Sequence, residues 1–136
     1  MARFTAETEP LNAPQARVFE FLSDFRNMEH LMPEQIVNWK ADEVNCSFTI
    51  KSMADLAMRI TSKKPPSNIH IESTGSNPID YTLDYSVYQV NDHQCFVEID
   101  FQADLNPFLS MVASRPLQHL VDHMALKLKE KFGKEL

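Results

Sequence analysis

Glycine is nearly missing from this chain: Gly75 and Gly133 are the only two among 136 residues. That scarcity removes the glycine-rich loops that wrap a phosphate in backbone N–H groups, and with them the fingerprint of dinucleotide sites, so no cofactor of that kind is expected. Cysteine is as scarce. Cys46 and Cys95 lie far apart with no C-x-x-C spacing, which suggests two buried thiols rather than a disulfide framework or a zinc knuckle. Positive charge is in deficit, with 13 Lys and Arg against 19 Asp and Glu and a formal charge of −6. The phosphate attraction that nucleic-acid binders rely on is disfavoured, and no nucleic-acid partner is expected. No apolar run approaches the ~18 residues of a membrane span, and the opening MARFTAETEP has no basic start followed by an apolar stretch. The expectation is a soluble, cytoplasmic protein without a transmembrane segment. It should fold as one domain over residues 1–136, long enough to bury a core without disulfides or structural metal.

What the chain does have is periodicity. Between Glu34 and Leu105 the period is two, and six strands are expected at 35–41, 45–52, 56–63, 68–74, 80–90 and 95–104. The breaks are Asp42-Glu43, Met53-Ala54-Asp55, Lys64-Pro65-Pro66-Ser67, Gly75-Ser76-Asn77-Pro78 and Asn91-Asp92-His93, each rich in turn chemistry. Connections this short imply antiparallel hairpins. Alternation puts Cys46, Phe48, Ile50, Leu56, Met58, Ile60, Ile69, Ile71, Tyr81, Leu83, Tyr85, Val87, Cys95, Val97, Ile99 and Phe101 on one apolar side. Thr49, Arg59, His70, Glu72, Asp84, Glu98 and Asp100 fall on the other. In the strand at 35–41 the choice lies between Val37 with Trp39 and Ile36 with Asn38, and Trp39 is assigned inward. Upstream, residues 3–8 alternate as a first strand. Asn12-Ala13-Pro14 starts a short helix with a Val18, Phe19, Leu22 stripe, and a second, over 25–31, is capped by Asp24 and stopped by Pro33.

The last stretch changes period. From Pro116 onward Leu117, Leu120, Val121, Met124 and Leu128 recur at helical spacing, and Gly133 follows as a C-terminal breaker. Pro116 is poorly tolerated inside a helix. Two pieces with a bend between them are therefore expected: 108–113, and a second piece begun at Pro116 with Ser114 or Arg115 as its cap. The architecture is α+β, a curved seven-stranded antiparallel sheet with two short helices, its apolar face covered by one long C-terminal helix. A single helix stripe about 10 Å wide covers such a face only if large side chains fill the hollow. Tyr81 and Tyr85 lie on that face, and their hydroxyls must meet each other, water or a ligand.

This order of elements resembles the START/Bet v 1-like (SRPBCC) superfamily, the helix-grip fold of polyketide cyclases and lipid-transfer domains. The local carriers are Ala13-Pro14-Gln15-Ala16-Arg17-Val18-Phe19-Glu20-Phe21-Leu22, then Asp24-Phe25-Arg26-Asn27 and Leu31-Met32-Pro33, similar to that family's opening motif. Where the family often has an aromatic before the leucine-proline pair, this chain has His30-Leu31. The resemblance implies a deep, mostly apolar cavity between sheet and helix that takes a lipid, an aromatic polyketide or a quinone-like molecule.

On that basis the expected function is binding or transport of a small hydrophobic molecule. The expected cavity lining is Trp39, Phe48, Ile50, Met58, Ile71, Tyr81, Leu83, Tyr85, Ile99, Phe101, Met111, Leu117, Leu120 and Met124, with Tyr81 and Tyr85 as polar handles. Access is expected beside Phe108 and Met111, near the Met53-Ala54-Asp55 or Gly75-Ser76-Asn77-Pro78 turns. A cyclase- or aromatase-like enzyme in the same cavity is the alternative, and a protein-interaction or quinone-chaperone module the third reading. No catalytic residue is assigned. Glu98, Asp100 and Asp84 alternate outward, where no desolvation tunes them, and the two thiols have no basic neighbour to activate them. His119 and His123 have the i, i+4 spacing of a metal pair, but they fall opposite the apolar stripe without a third ligand, so no metal is expected.

Overall fold

The alternating stretches become a single seven-stranded antiparallel sheet in a computed structural model of the protein, which describes residues 2–75 and 79–133. The strands are β1 (Ala2–Glu7), β2 (Ile36–Ala41), β3 (Asn45–Ile50), β4 (Ala54–Lys64), β5 (Asn68–Ser73), β6 (Asp80–Asn91) and β7 (Gln94–Asp104). They lie in the order β1-β7-β6-β5-β4-β3-β2. From β2 to β7 every sequence neighbour is a spatial neighbour, as hairpin connections require. β1 closes the sheet against β7, with Phe4 opposite Phe101 and Ala6 opposite Ile99. Two short helices fill the link between β1 and β2: α1 (Gln15–Leu22) and α2 (Phe25–Met28), the latter followed by a 3-10 turn at Glu29–Leu31. The expected strands and two short helices are present, with β4 extended over Ala54, Asp55 and Lys64 of the expected turns, and the part of the β5–β6 turn at 76–78 lies outside the described residues.

β2 breaks the strict alternation. Ile36 pairs with Ile50 and Val37 with Thr49, but Lys40 then pairs with Ser47, so one extra residue is inserted. Asn38 sits there with φ 57°, in the left-handed region that asparagine tolerates better than most side chains. A bulge of this kind resets which side chains face inward. Ile36 and Trp39 therefore both face the core, a combination that neither alternating set allows.

Asp24 caps α2 as expected. Its carboxylate accepts from the Arg26 backbone N–H at 2.9 Å and pairs with the Arg26 guanidinium at 2.6 Å. Those guanidinium hydrogen bonds hold the carboxyl below the usual carboxylate range, against the opposing effect of partial burial. Asp24→Ala is expected to cost about 1 kcal/mol at neutral pH. The sign of the pH dependence follows from the lowered folded pKa: the contribution is complete above the ordinary carboxylate pKa of about 4 and fades as pH falls through the folded value. Thermal unfolding of both proteins should show a gap at pH 7 that narrows as pH falls below the ordinary carboxylate pKa of about 4.

The long helix, α3 (Pro107–Phe132), is one helix and not two. Its cap is Asn106, whose side chain accepts from the Leu109 N–H at 2.8 Å, and Pro107 stands in the first turn. Ser114 caps nothing; its hydroxyl donates back to the Ser110 carbonyl inside the helix. Pro116 is tolerated because the carbonyl it leaves without an intrahelical partner belongs to Val112, a half-exposed residue that water reaches. Beyond Pro116 the helix is well anchored. Gln35 donates to the Pro116 carbonyl, Gln118 to that of Thr5 and Lys129 to that of Pro10, while the Asn12 N–H donates to the carbonyl of Phe132.

Candidate functional site

The inner face of the sheet is apolar from β3 to β7. Phe48, Ile50, Met58, Ile71, Tyr81, Leu83, Tyr85, Ile99 and Phe101 are all buried, and Leu117, Leu120 and Met124 of α3 close over them. Trp39 joins at the rim, half-buried, its ring stacked on Phe48 at 5.4 Å and its indole N–H donating to the Phe25 carbonyl. The sequence thus brings thirteen of its fourteen expected lining residues to one place.

Met111 is the exception. It is 83 % exposed and lies beside Phe108 (71 %) and Val112 (51 %), so these three do not face the sheet. The reason is phase: with no break at Pro116, the stripe that includes Leu117 continues backward through Ala113 and Leu109. Ala113 is buried and Leu109 packs against the core. The i, i+3, i+4 set of Phe108, Met111 and Val112 is then turned to solvent.

Among the described residues, the middle of the inner face is tightly packed. Ile69, Ile71, Tyr85, Val97, Ile99, Val121 and Leu128 have no surface that a water molecule could touch, on the inside or the outside. Large side chains extend into the space between sheet and helix, among them the stacked Tyr81 and Phe101 rings, 5.1 Å apart. That is ordinary protein packing.

The two tyrosines differ. The Tyr81 hydroxyl donates to the Ala57 backbone carbonyl of β4 at 3.0 Å, whereas that of Tyr85 donates to the thioether sulfur of Met28 in α2, at 3.2 Å. A thioether is a weak acceptor. Burial pushes both phenols, and the Cys46 thiol, well above their usual ionisation range, and the nearby Cys46 thiol raises the phenols further. All three are neutral hydrogen-bond donors near pH 7. Burial also lifts Cys95, to about 11, so neither thiol is set up as a nucleophile. Among the described residues no Asp, Glu, Lys, Arg or His is buried. Nothing in the sequence pairs Met28 with Tyr85, because a contact between distant elements leaves no local signal.

Elsewhere the expected surface roles hold. Asp100 takes both nitrogens of the Arg3 fork, at 3.0 and 2.9 Å, and His70 meets Asp84 at 2.7 Å on the outer face of the sheet. His119 and His123 stand with ring centres 5.8 Å apart, above an outer groove of about 540 Å³ that also includes Pro33, Glu34, Gln35 and Lys51. Partial burial, then Lys127 and His119, lowers the pKa of His123. Among the described residues no three His, Cys, Asp or Glu side chains are placed to hold a metal ion.

The fold is the START/Bet v 1-like helix-grip fold. The chain superposes on XoxI from Bacillus cereus with a TM-score of 0.77 at 12% identity, covering 98% of this chain and 97% of that one. It matches a START superfamily protein from Mycobacterium smegmatis at 0.69 and 11% identity, over 96% and 97% of the two chains. Norcoclaurine synthase from Thalictrum flavum is matched at 0.68 and 11% identity, over 98% and 87%. No protein-family model matches the sequence, and no curated protein matches it. No helix among the described residues is long and apolar enough to cross a membrane.

Proposed function

We propose that the protein binds a small hydrophobic molecule between its sheet and α3, and that side chains at the less anchored end of the helix move aside to admit it. The observation that supports this best is the asymmetry of α3. From Pro116 on, the helix buries Leu117, Leu120, Val121, Met124, Ala125, Leu128 and Phe132 and is tied by hydrogen bonds to Thr5, Pro10, Asn12 and Gln35; before Pro116 its only fully buried residue is Ala113. Pro116 removes a helical hydrogen bond between the two halves. The first turns are thus the least anchored part of the lid, and moving them uncovers little apolar surface.

A guest admitted there meets Met28 and Met58 as well as aromatic rings, and unbranched methionine side chains repack readily around a new neighbour. The first turns follow directly from β7, at the same end of the sheet as the β3–β4 turn and the β5–β6 turn. Access at that end leaves the anchored half of α3 undisturbed. Binding is favoured over a cyclase-like reaction because the inward-facing ionisable groups are phenols and thiols held protonated, which are poor bases. The fold hosts an enzyme in norcoclaurine synthase, so the fold alone does not decide between the two.

Native mass spectrometry of freshly purified protein, with Nile red fluorescence as a second readout, tests the proposal. A co-purified small molecule, or a saturable rise in Nile red emission, is the expected result. Protein free of any adduct that also leaves Nile red dark at high micromolar concentration would contradict it.

A further inference from the structure

We infer that the bound molecule is a neutral compound bearing a hydrogen-bond acceptor such as a ketone or quinone carbonyl, and that it is held by the Tyr85 hydroxyl in place of the Met28 sulfur. This rests on the binding role proposed above and specifies its chemistry. Three observations lead to it. Tyr85 is wholly buried at the centre of the inner face, and its one donated hydrogen bond goes to a thioether at 3.2 Å. Such a bond is weaker than one to a carbonyl, so a ligand oxygen that replaces the sulfur improves the hydroxyl's partner. Tyr81 does not compete for this role, because its hydroxyl is already bound to the Ala57 carbonyl of β4 at 3.0 Å.

The third observation sets the charge. No basic side chain is buried among the described residues, and the one buried polar residue outside the aromatic and thiol groups, Thr8, accepts from the Val97 N–H at the β1–β7 edge. A carboxylate or phosphate carried inside would have no counter-ion, and burying an unpaired charge is strongly unfavourable. Fatty acids and phospholipid headgroups are therefore poor ligands for the interior, even though their tails are apolar. A ligand that is only a donor is disfavoured too, since it would leave the Tyr85 proton with its weak partner.

Three probes of nearly one shape separate these features: 2-acetylnaphthalene, with a carbonyl; 2-ethylnaphthalene, without one; and 2-naphthoate, charged. Affinities are measured by fluorescence or calorimetry for the native protein, Tyr85→Phe and Met28→Leu, with circular dichroism and melting curves confirming that each variant is folded. In the native protein 2-naphthoate should bind at least about a hundredfold more weakly than 2-acetylnaphthalene. The ratio of acetyl to ethyl affinity should fall by about tenfold in Tyr85→Phe. In Met28→Leu, a swap that conserves volume, the same ratio should rise, because the hydroxyl has no sulfur to give up. A change in packing alone would move both neutral probes together and leave the ratio unaltered. If both neutral probes bind and the ratio is the same in all three proteins, the Tyr85 assignment is wrong while the binding role stands. Tight 2-naphthoate binding overturns the neutral-ligand inference, and failure of all three probes to bind overturns the binding role with it.

Discussion

Replacing Leu128 with alanine is expected to destabilise the protein by about 3 kcal/mol, whereas the same truncation at Met111 should change stability by less than about 0.5 kcal/mol. Both residues belong to the same helix, yet Leu128 is fully buried and Met111 is largely in water. Leu128 lies in the anchored half, near the point where the Asn12 side chain donates to the Gly133 carbonyl and its N–H to that of Phe132. Deleting its side chain leaves a cavity whose walls the sheet holds apart, so both the transfer and the cavity penalties apply. The midpoint of thermal unfolding should fall by roughly 10 °C. Chemical denaturation of the two variants checks the contrast. Equal losses at the two positions would mean that the first turns of α3 are as firmly seated as the last, and the proposed route into the interior would be lost.

Pro116→Ala should slow amide hydrogen exchange across residues 108–115 by close to thirtyfold. An interior proline is less favourable than alanine by about 3 kcal/mol. Roughly 1 kcal/mol of that is returned because proline also restricts the unfolded chain. The remaining ~2 kcal/mol corresponds to about thirtyfold in a local opening equilibrium. The gain comes from a restored N–H at position 116, which can donate to the Val112 carbonyl. Exchange of amides beyond Leu120, already protected by burial of the anchored half, should change far less. If binding proceeds through the first turns, uptake of Nile red should slow in parallel. Unaltered exchange at 108–115 would show that Pro116 does not separate the two halves.

The strand faces could be read directly from the sequence because alternation is local: each inward residue is two positions from the next, and turn residues mark the ends. Features set by backbone conformation were harder to see. Asn38 reverses the face of Trp39 relative to Val37 by occupying the left-handed region, and its one sequence signal is that asparagine tolerates that conformation. The cap at Asn106, followed by Pro107, was visible in principle, since that pair is a recognised helix start. A helix begun at that pair and run unbroken through Pro116 has the phase that turns Met111 outward. Packing was not legible at all. Whether a cupped face is hollow depends on how Tyr81, Phe101, Met28 and their neighbours share a volume, and no periodicity encodes that sum. The same holds for the Tyr85 to Met28 contact, which joins the middle of the sheet to a short helix far away in sequence.

The most direct measurement is a methyl-resolved NMR titration with 2-acetylnaphthalene. The result predicted is cross-relaxation between probe protons and the methyl groups of Ile71, Leu83 and Ile99, with line broadening at Leu109 and Ala113 as the first turns of α3 open. Contacts confined to outward residues, such as Thr49, Met111 or Val112, would contradict a binding site between sheet and helix, as would a spectrum indifferent to the probe.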